Sequence, residues 1–275
     1  MQLNHLRANS RGDCDVVVRF LNEISPQSVM SLAKRASCLI TPVPSLEMAF
    51  TASVEDPVWL DAITVALTIE HKKIASFVNI FDVQEIYENT IFQVPHAPEI
   101  GPAAAVENEA NWGIDYLRIP ELIKAGCDEG ANIKVGVLDS GVTPLHPCFA
   151  NGQIKGYAAF DLRGEQIAGE QPRDSMWHGT HVCGILAGAN DGFARGVAPK
   201  SEVYVGRVLE GWNGSVASIK AGLIWMRDVV KPNVLNLSLG WPGLHPEWYS
   251  ELRDLVEAGT IVCAASGNEF PSPDR

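Results

Sequence analysis

Residues 133–141 read Ile133-Lys134-Val135-Gly136-Val137-Leu138-Asp139-Ser140-Gly141. An almost wholly apolar run ends abruptly in an acid, a hydroxyl and a glycine. Such a run, bounded by turn residues, is the pattern of a strand buried on both faces. Segments of alternating type follow it. Residues 202–208 read as a second strand. Residues 215–230 read as an amphipathic helix with Val216, Ile219, Leu223 and Met226 on one face, and residues 234–237 as a third strand. A helix over residues 246–258 stops at Gly259, and residues 260–265 form a fourth strand. Buried strands joined by helices define an α/β fold with a doubly wound parallel sheet. In such sheets functional groups gather outside the carboxyl ends of the strands. Asp139, directly after its strand, stands at that position.

Two further stretches carry chemistry of the same kind. In Met176-Trp177-His178-Gly179-Thr180-His181, followed by Val-Cys-Gly-Ile-Leu-Ala-Gly, small residues dominate, as where a helix packs tightly. A histidine opening that helix can face a cleft, and its glycine neighbour lets a substrate approach. In Cys263-Ala-Ala-Ser266-Gly267-Asn268 an asparagine at a strand end offers an amide donor to a developing oxyanion. Each has a plainer account. Asp139 serves equally as a turn former before Ser-Gly, His178 as a core or capping histidine, and Asn268 as the start of an Asx turn. His181, three residues on, reads as structural.

Taken together and in order, these stretches resemble the subtilisin-like (subtilase) serine peptidase family, whose triad runs Asp, His, Ser along the chain. VGVLDSG carries the Asp, HGTHVCGILAG the His and AASGN the oxyanion Asn. GVAP at 196–199, NLSLG at 236–240 and WGIDYLRIPEL at 112–122 match as well. The resemblance implies that Asp139 orients His178 and stabilises its charged form. It implies that His178 takes the serine proton and returns it to the leaving amine, and that Asn268 donates to the tetrahedral oxyanion. Ser238-Leu239-Gly240 and Gly211-Trp212-Asn213-Gly214 resemble the two extended segments that sandwich a substrate backbone in this family, so the implied substrate is a polypeptide. Calcium is frequent in the family. No ligand set matches residue by residue, so the resemblance admits the ion without placing it.

The amino-terminal part reads as strand 15–20, a helix from Ser25-Pro26 with Val29, Leu32 and Ala33 inward, and a β-rich stretch over 39–54. A longer helix over 57–73 follows, with Leu60, Ile63, Leu67 and Ile69 or Ile74 on its apolar side, and a strand over 83–87 closes the region. Residues 1–94 thus resemble the small α+β propeptide-like domain of the family, which covers the cleft and assists folding. An unrelated interaction domain is the alternative. Residues 95–110, rich in Pro, Ala and Glu, read as an exposed linker, and residues 111–275 as the peptidase part. The family's Gly-Thr-Ser-Met-Ala motif does not occur after Asn268, and Ser140, Ser175 and Ser266 stand where no nucleophile belongs. The expectation is an incomplete subtilisin-like catalytic domain, a truncated endopeptidase inactive alone. Two alternatives are a split enzyme whose partner chain supplies the serine segment, and a non-catalytic peptide-binding or inhibitory module.

Composition narrows the partners. With 46% apolar and 20% charged residues the chain can bury a proper core. A net charge of −12 argues against nucleic acid or an anionic membrane, both of which attract basic surfaces. No apolar run approaches the ~20 residues of a membrane span. The six cysteines form no CxxC pair, which speaks against zinc. With polar residues at the start and no secretory leader, reduced thiols and a cytoplasmic location are expected, export staying open if the amino terminus is incomplete.

Overall fold

The computed structural model describes residues 3, 6–8, 12–23, 58–80, 82–94, 112–149, 151–189, 195–240 and 245–268. The helix expected from residue 25, the β-rich stretch over 39–54 and the linker over 95–110 lie outside the described residues.

The amino-terminal sheet is antiparallel. Its central strand β1 (Asp13–Phe20) pairs on one side with β3 (Thr64–Glu70) and on the other with β4 (Val83–Glu88); β2 (Val58–Trp59) lies outside β3. Alternation decides which residues face where. Val16, Val18 and Phe20 join Val65, Leu67, Ile69 and Ile86 in one core with Phe77 of helix α1 (Ile74–Ile80). Val17, Val58 and Ala66 point the other way, onto Val216 and Ala217. The helix expected over 57–73 is therefore a correction, because β2 and β3 occupy most of that span. Residues 60, 63 and 67 do share a helical face. Four of the seven residues of β3 are β-branched, however, and seven register partners on β1 favour the extended form.

β5 (Ile91–Gln93) leaves this sheet and is described with the site. Two short helices follow, α2 (Trp112–Tyr116) and α3 (Ile119–Lys124). The apolar run at residue 133 then forms β6 (Lys134–Asp139). With β7 (Ile154–Ala159), β8 (Glu202–Arg207), β10 (Val234–Leu237) and β11 (Ile261–Ala264) it makes a parallel sheet ordered β11-β10-β6-β8-β7. Helices cover both faces. Val135 and Val137 pack with Val182 and Cys183 of α4 (His178–Ala187). Leu138 packs on the opposite face with Ile219 and Leu223 of α5 (Val216–Trp225). Gly136 on that face leaves space for Met226, whose Sδ would lie 2.6 Å from an added Cβ. After β7 and β8 the chain crosses to the far side of β6, so the order switches direction at the strand that ends in Asp139. β7, Ile-Lys-Gly-Tyr-Ala-Ala, has no apolar run to announce it; pairing with β8 makes it a strand.

A second correction concerns residues 215–230. Instead of one amphipathic helix, α5 is followed by a π-helical turn (Met226–Val230), and every residue from Val216 to Ile224 is buried. The side expected to face water lies under the amino-terminal sheet. That contact is made by charge as well as by packing. Lys220 Nζ, on a residue 1% exposed, donates to Glu251 Oε2 at 2.7 Å and to the Glu247 carbonyl at 2.9 Å. Arg19 of β1 reaches the other oxygen of Glu251 at 2.6 Å. Glu251 lies on α6 (Tyr249–Glu257), which follows a 3₁₀ turn (Pro246–Trp248) and ends before Gly259 in the left-handed conformation (φ +95). At the start of α5 the Ser215–Ser218 capping box satisfies two amides, those of Ser215 and Ser218. The Val216 amide donates to the Thr90 carbonyl at 3.1 Å and the Ala217 amide to Asn89 Oδ1 at 2.9 Å.

Candidate active site

Asp139 ends β6 and is wholly buried. Its Oδ1 accepts the Ser140 amide at 2.7 Å. His178 opens α4, and its Nδ1 lies 2.8 and 3.0 Å from the two Asp139 oxygens. A carboxyl partner holds the ring proton on Nδ1, which leaves Nε2 as the nitrogen with a lone pair to offer. The hydrogen bond to Asp139 raises the His178 pKa above its ordinary value; burial opposes that shift, and the charges of Asp139 and Asp174 add to it. The pair can accept a proton at Nε2 and stabilise the resulting cation.

The approach of β6 to α4 is forced by two glycines. A Cβ at Gly179 would lie 2.1 Å from the Gly141 carbonyl oxygen. Gly141 itself has φ +108, and its Cβ would lie 2.0 Å from the Arg173 carbonyl oxygen. Residues 140–142 thus run against residues 173–175, through Val142 N–H to Arg173 O at 3.1 Å and Ser175 N–H to Ser140 O at 2.9 Å. Asp174 is a positioning residue that the sequence did not single out. It accepts the Ser140 hydroxyl at 2.7 Å, the Thr180 amide at 2.8 Å and the Thr180 hydroxyl at 2.5 Å. It thereby supplies an anion to the first turn of α4 from outside the helix, where the helix dipole favours one. Standing four residues before the helix with a single serine beside it, it carries no motif that would have marked it.

The two serines nearest the pair have other work. Ser140 Oγ accepts the Gly179 amide at 3.0 Å while donating to Asp174. Ser175 Oγ lies within 3.1 Å of the Ser140 and Leu209 carbonyls and accepts the Gly211 amide. His181 is exposed, its ring 6.1 Å from that of Trp177.

Of the expected substrate segments, residues 211–214 lead into β9 (Asn213–Ser215). Gly211 has φ +57, and Glu210 and Asn213 bond across the turn. β9 pairs antiparallel with β5, with Ile91 opposite Ser215, Phe92 opposite Gly214 and Gln93 opposite Asn213. The Val94 amide continues the ladder to the Trp212 carbonyl at 2.8 Å. Phe92 enters the main core, where a Cβ on Gly214 would lie 2.8 Å from its ring. Ser238, Leu239 and Gly240 follow β10 directly. Ser238 Oγ accepts Asn236 Nδ2 at 2.9 Å, and Leu239 is buried. Asn268, exposed, lies beyond Gly267 (φ +102) at the carboxyl end of β11, the same edge of the sheet that carries Asp139. Among the described residues no three His, Cys, Asp or Glu side chains converge in a metal-holding group, so calcium is given no ligand set here. Among the described residues five cysteines, Cys14, Cys127, Cys148, Cys183 and Cys263, are free thiols. No described helix is long and apolar enough to cross a membrane.

This arrangement, an Asp-His pair at the switch point of a parallel α/β sheet, agrees with the comparisons to known proteins. The subtilase family model matches residues 130–274, and the chain belongs to that family. It is 36% identical over 172 residues to the major intracellular serine protease of Bacillus subtilis (strain 168), covering 61% of this chain and 52% of that protein. Subtilisin Savinase of Lederbergia lenta is 37% identical over 160 residues, 57% of this chain and 55% of its own length. An alkaline protease of Alkalihalobacillus alcalophilus is 34% identical over 178 residues, 64% of this chain and 44% of its own. The chain spans about half the length of these curated relatives.

Proposed function

We propose that the chain is the front part of a subtilisin-like serine endopeptidase, in which Asp139 and His178 act on a serine that residues 1–275 do not supply. The observation that carries this reading is the bond from His178 Nδ1 to buried Asp139, which leaves Nε2 as the general base. His178 would take the serine proton and later pass it to the leaving amine. Asn268, on the same edge of the sheet, would donate to the oxyanion, a donor whose loss costs about 2.7–4 kcal/mol in the barrier. Residues 211–214 and 238–240 would hold the substrate backbone by strand addition. The amino-terminal part would be propeptide-like, with β5 lying along β9 in place of a substrate. The nucleophile would come from a continuation of this chain or from a partner chain.

A serine-directed covalent probe tests the proposal. The isolated chain is expected to stay unlabelled, and labelling is expected once a polypeptide bearing the Gly-Thr-Ser-Met-Ala segment is supplied. Labelling of residues 1–275 alone would overturn the assignment of the nucleophile. Peptide binding with no labelling in either arm would favour a non-catalytic binding module.

A further inference from the structure

The segment after Asp139 brings together a second pair of side chains with chemistry of their own. His146 Nδ1 lies 3.0 Å from Cys148 Sγ, and the Cys148 amide donates to the same nitrogen at 3.4 Å. A ring nitrogen that accepts an amide proton presents its lone pair there, so the neighbouring thiol is a donor to it as well. Both side chains line an open cavity of about 530 Å³, whose other walls include Met176, Trp177, Gly184 and Ile185. Gly184 keeps the space before the sulfur open, since a Cβ added to it would meet Cys148 Sγ first, at 3.8 Å. Cys183 belongs to the same apolar cluster but differs in kind. Burial pushes its thiol well above the ordinary range and holds it neutral.

We propose that Cys148, with His146 as its proton acceptor, is a thiol oxidation site that takes small hydroperoxides. The thiol proton passes to His146 Nδ1 as the sulfur attacks the terminal peroxide oxygen. The S–O bond forms and the O–O bond breaks. The leaving hydroxide or alkoxide takes the proton back from His146 and departs as water or an alcohol. Sulfur is oxidised by two electrons to a sulfenic acid, and the peroxide is reduced. A neutral oxidant suits this cavity, because its charged groups are already engaged: Asp174 with Ser140 and Thr180, and Arg195 with Glu129 at 2.7 Å. The Cys148 carbonyl accepts the Ala189 amide, just beyond α4, at 2.6 Å. An oxygen added at Cys148 is therefore placed against the helix that His178 opens.

Peptide mapping of the full chain, after exposure to hydrogen peroxide and a dione probe for sulfenic acid, tests this. Exposed Cys127 is the reference thiol within each molecule, and buried Cys14 and Cys183 report unfolding if they react. In the folded parent Cys148 is expected to be labelled roughly tenfold faster than Cys127 or more. His146→Asn is expected to abolish that advantage and leave the Cys127 rate unchanged. Gly184→Ala, which sets a methyl group against the sulfur with His146 intact, is expected to slow Cys148 several-fold. It decides the matter if the His146 variant exposes Cys14 and Cys183. Labelling of Cys148 no faster than Cys127 would overturn the site. So would an undiminished rate in a folded His146→Asn chain, an unchanged rate in Gly184→Ala, or labelling that appears only together with Cys14 and Cys183.

Discussion

At the carboxyl edge of the five-stranded sheet, Asp139 is wholly buried, bonded to Ser140 and His178, and surrounded by a loop that two glycines allow to close. Two strands away on the same edge, β11 pairs with β10 alone; Ile261 is 64% exposed, and Asn268 is exposed beyond it. The first margin is over-determined by many mutual contacts. The second is held by one ladder of backbone hydrogen bonds and by Val262 against the main core. The Asp-His geometry is thus a property of these residues, whereas Asn268 stands exposed beyond a strand with one paired neighbour among the described residues.

Four substitutions probe that contrast, taken from the largest expected effect. Lys220→Ala, behind the assembled margin, leaves a wholly buried Glu251 with Arg19 as its remaining cation. It is expected to lower unfolding free energy in urea by about 3–5 kcal/mol. A loss under about 1 kcal/mol would show that the covered helix is less firmly fixed than its burial indicates. Gly141→Ala forces a side chain onto the Arg173 carbonyl at a positive φ. It is expected to cost about 1–3 kcal/mol and to shift the His178 ring resonances.

Asp139→Asn replaces the carboxylate whose hydrogen bond and charge raise the His178 pKa with a neutral amide. The His178 midpoint, followed by NMR, is expected to fall below that of the parent. A histidine whose folded pKa is raised stabilises the fold fully below its unfolded value, near 6.5, and loses that contribution as pH rises through the folded value. The stability slope across that interval is therefore expected to flatten in the variant. An unchanged midpoint would mean that His178 is set by burial and by Asp174 instead. Ile261→Thr, on the exposed margin, is expected to change stability by no more than about 0.5 kcal/mol. A larger loss would show that β11 is packed more closely than its exposure implies.

How much of this was legible in the sequence differed by region for a physical reason. β6 is a short apolar run whose burial on both faces needs no partner to be recognised, and β8 and β10 are short strands rich in apolar residues. Asp139 and His178 stand next to glycines that only a close approach explains. The region 57–73 misled because its apolar spacing fits a helical face, and the choice of strand was made by residues 13–19, far away in the chain. α5 misled for the related reason that its second cover is another sheet. Asp174 carries a role that exists only after two loops meet, and nothing in its neighbours announces an anion at a helix start.

The two amides at the start of α5 have a consequence in time. Their acceptors are Thr90 and Asn89, and the Asn89 bond spans 128 residues of chain. Until that loop closes, the first turn of this helix has two donors turned to water and one flank bare. Contacts so distant in sequence form slowly, because chain entropy is lost before they give anything back. The helix behind the cleft is thus expected to mature late in folding, once the amino-terminal sheet is present to receive it. Refolding followed with residues 1–94 deleted, or added back as a separate peptide, would read that order directly as a rate.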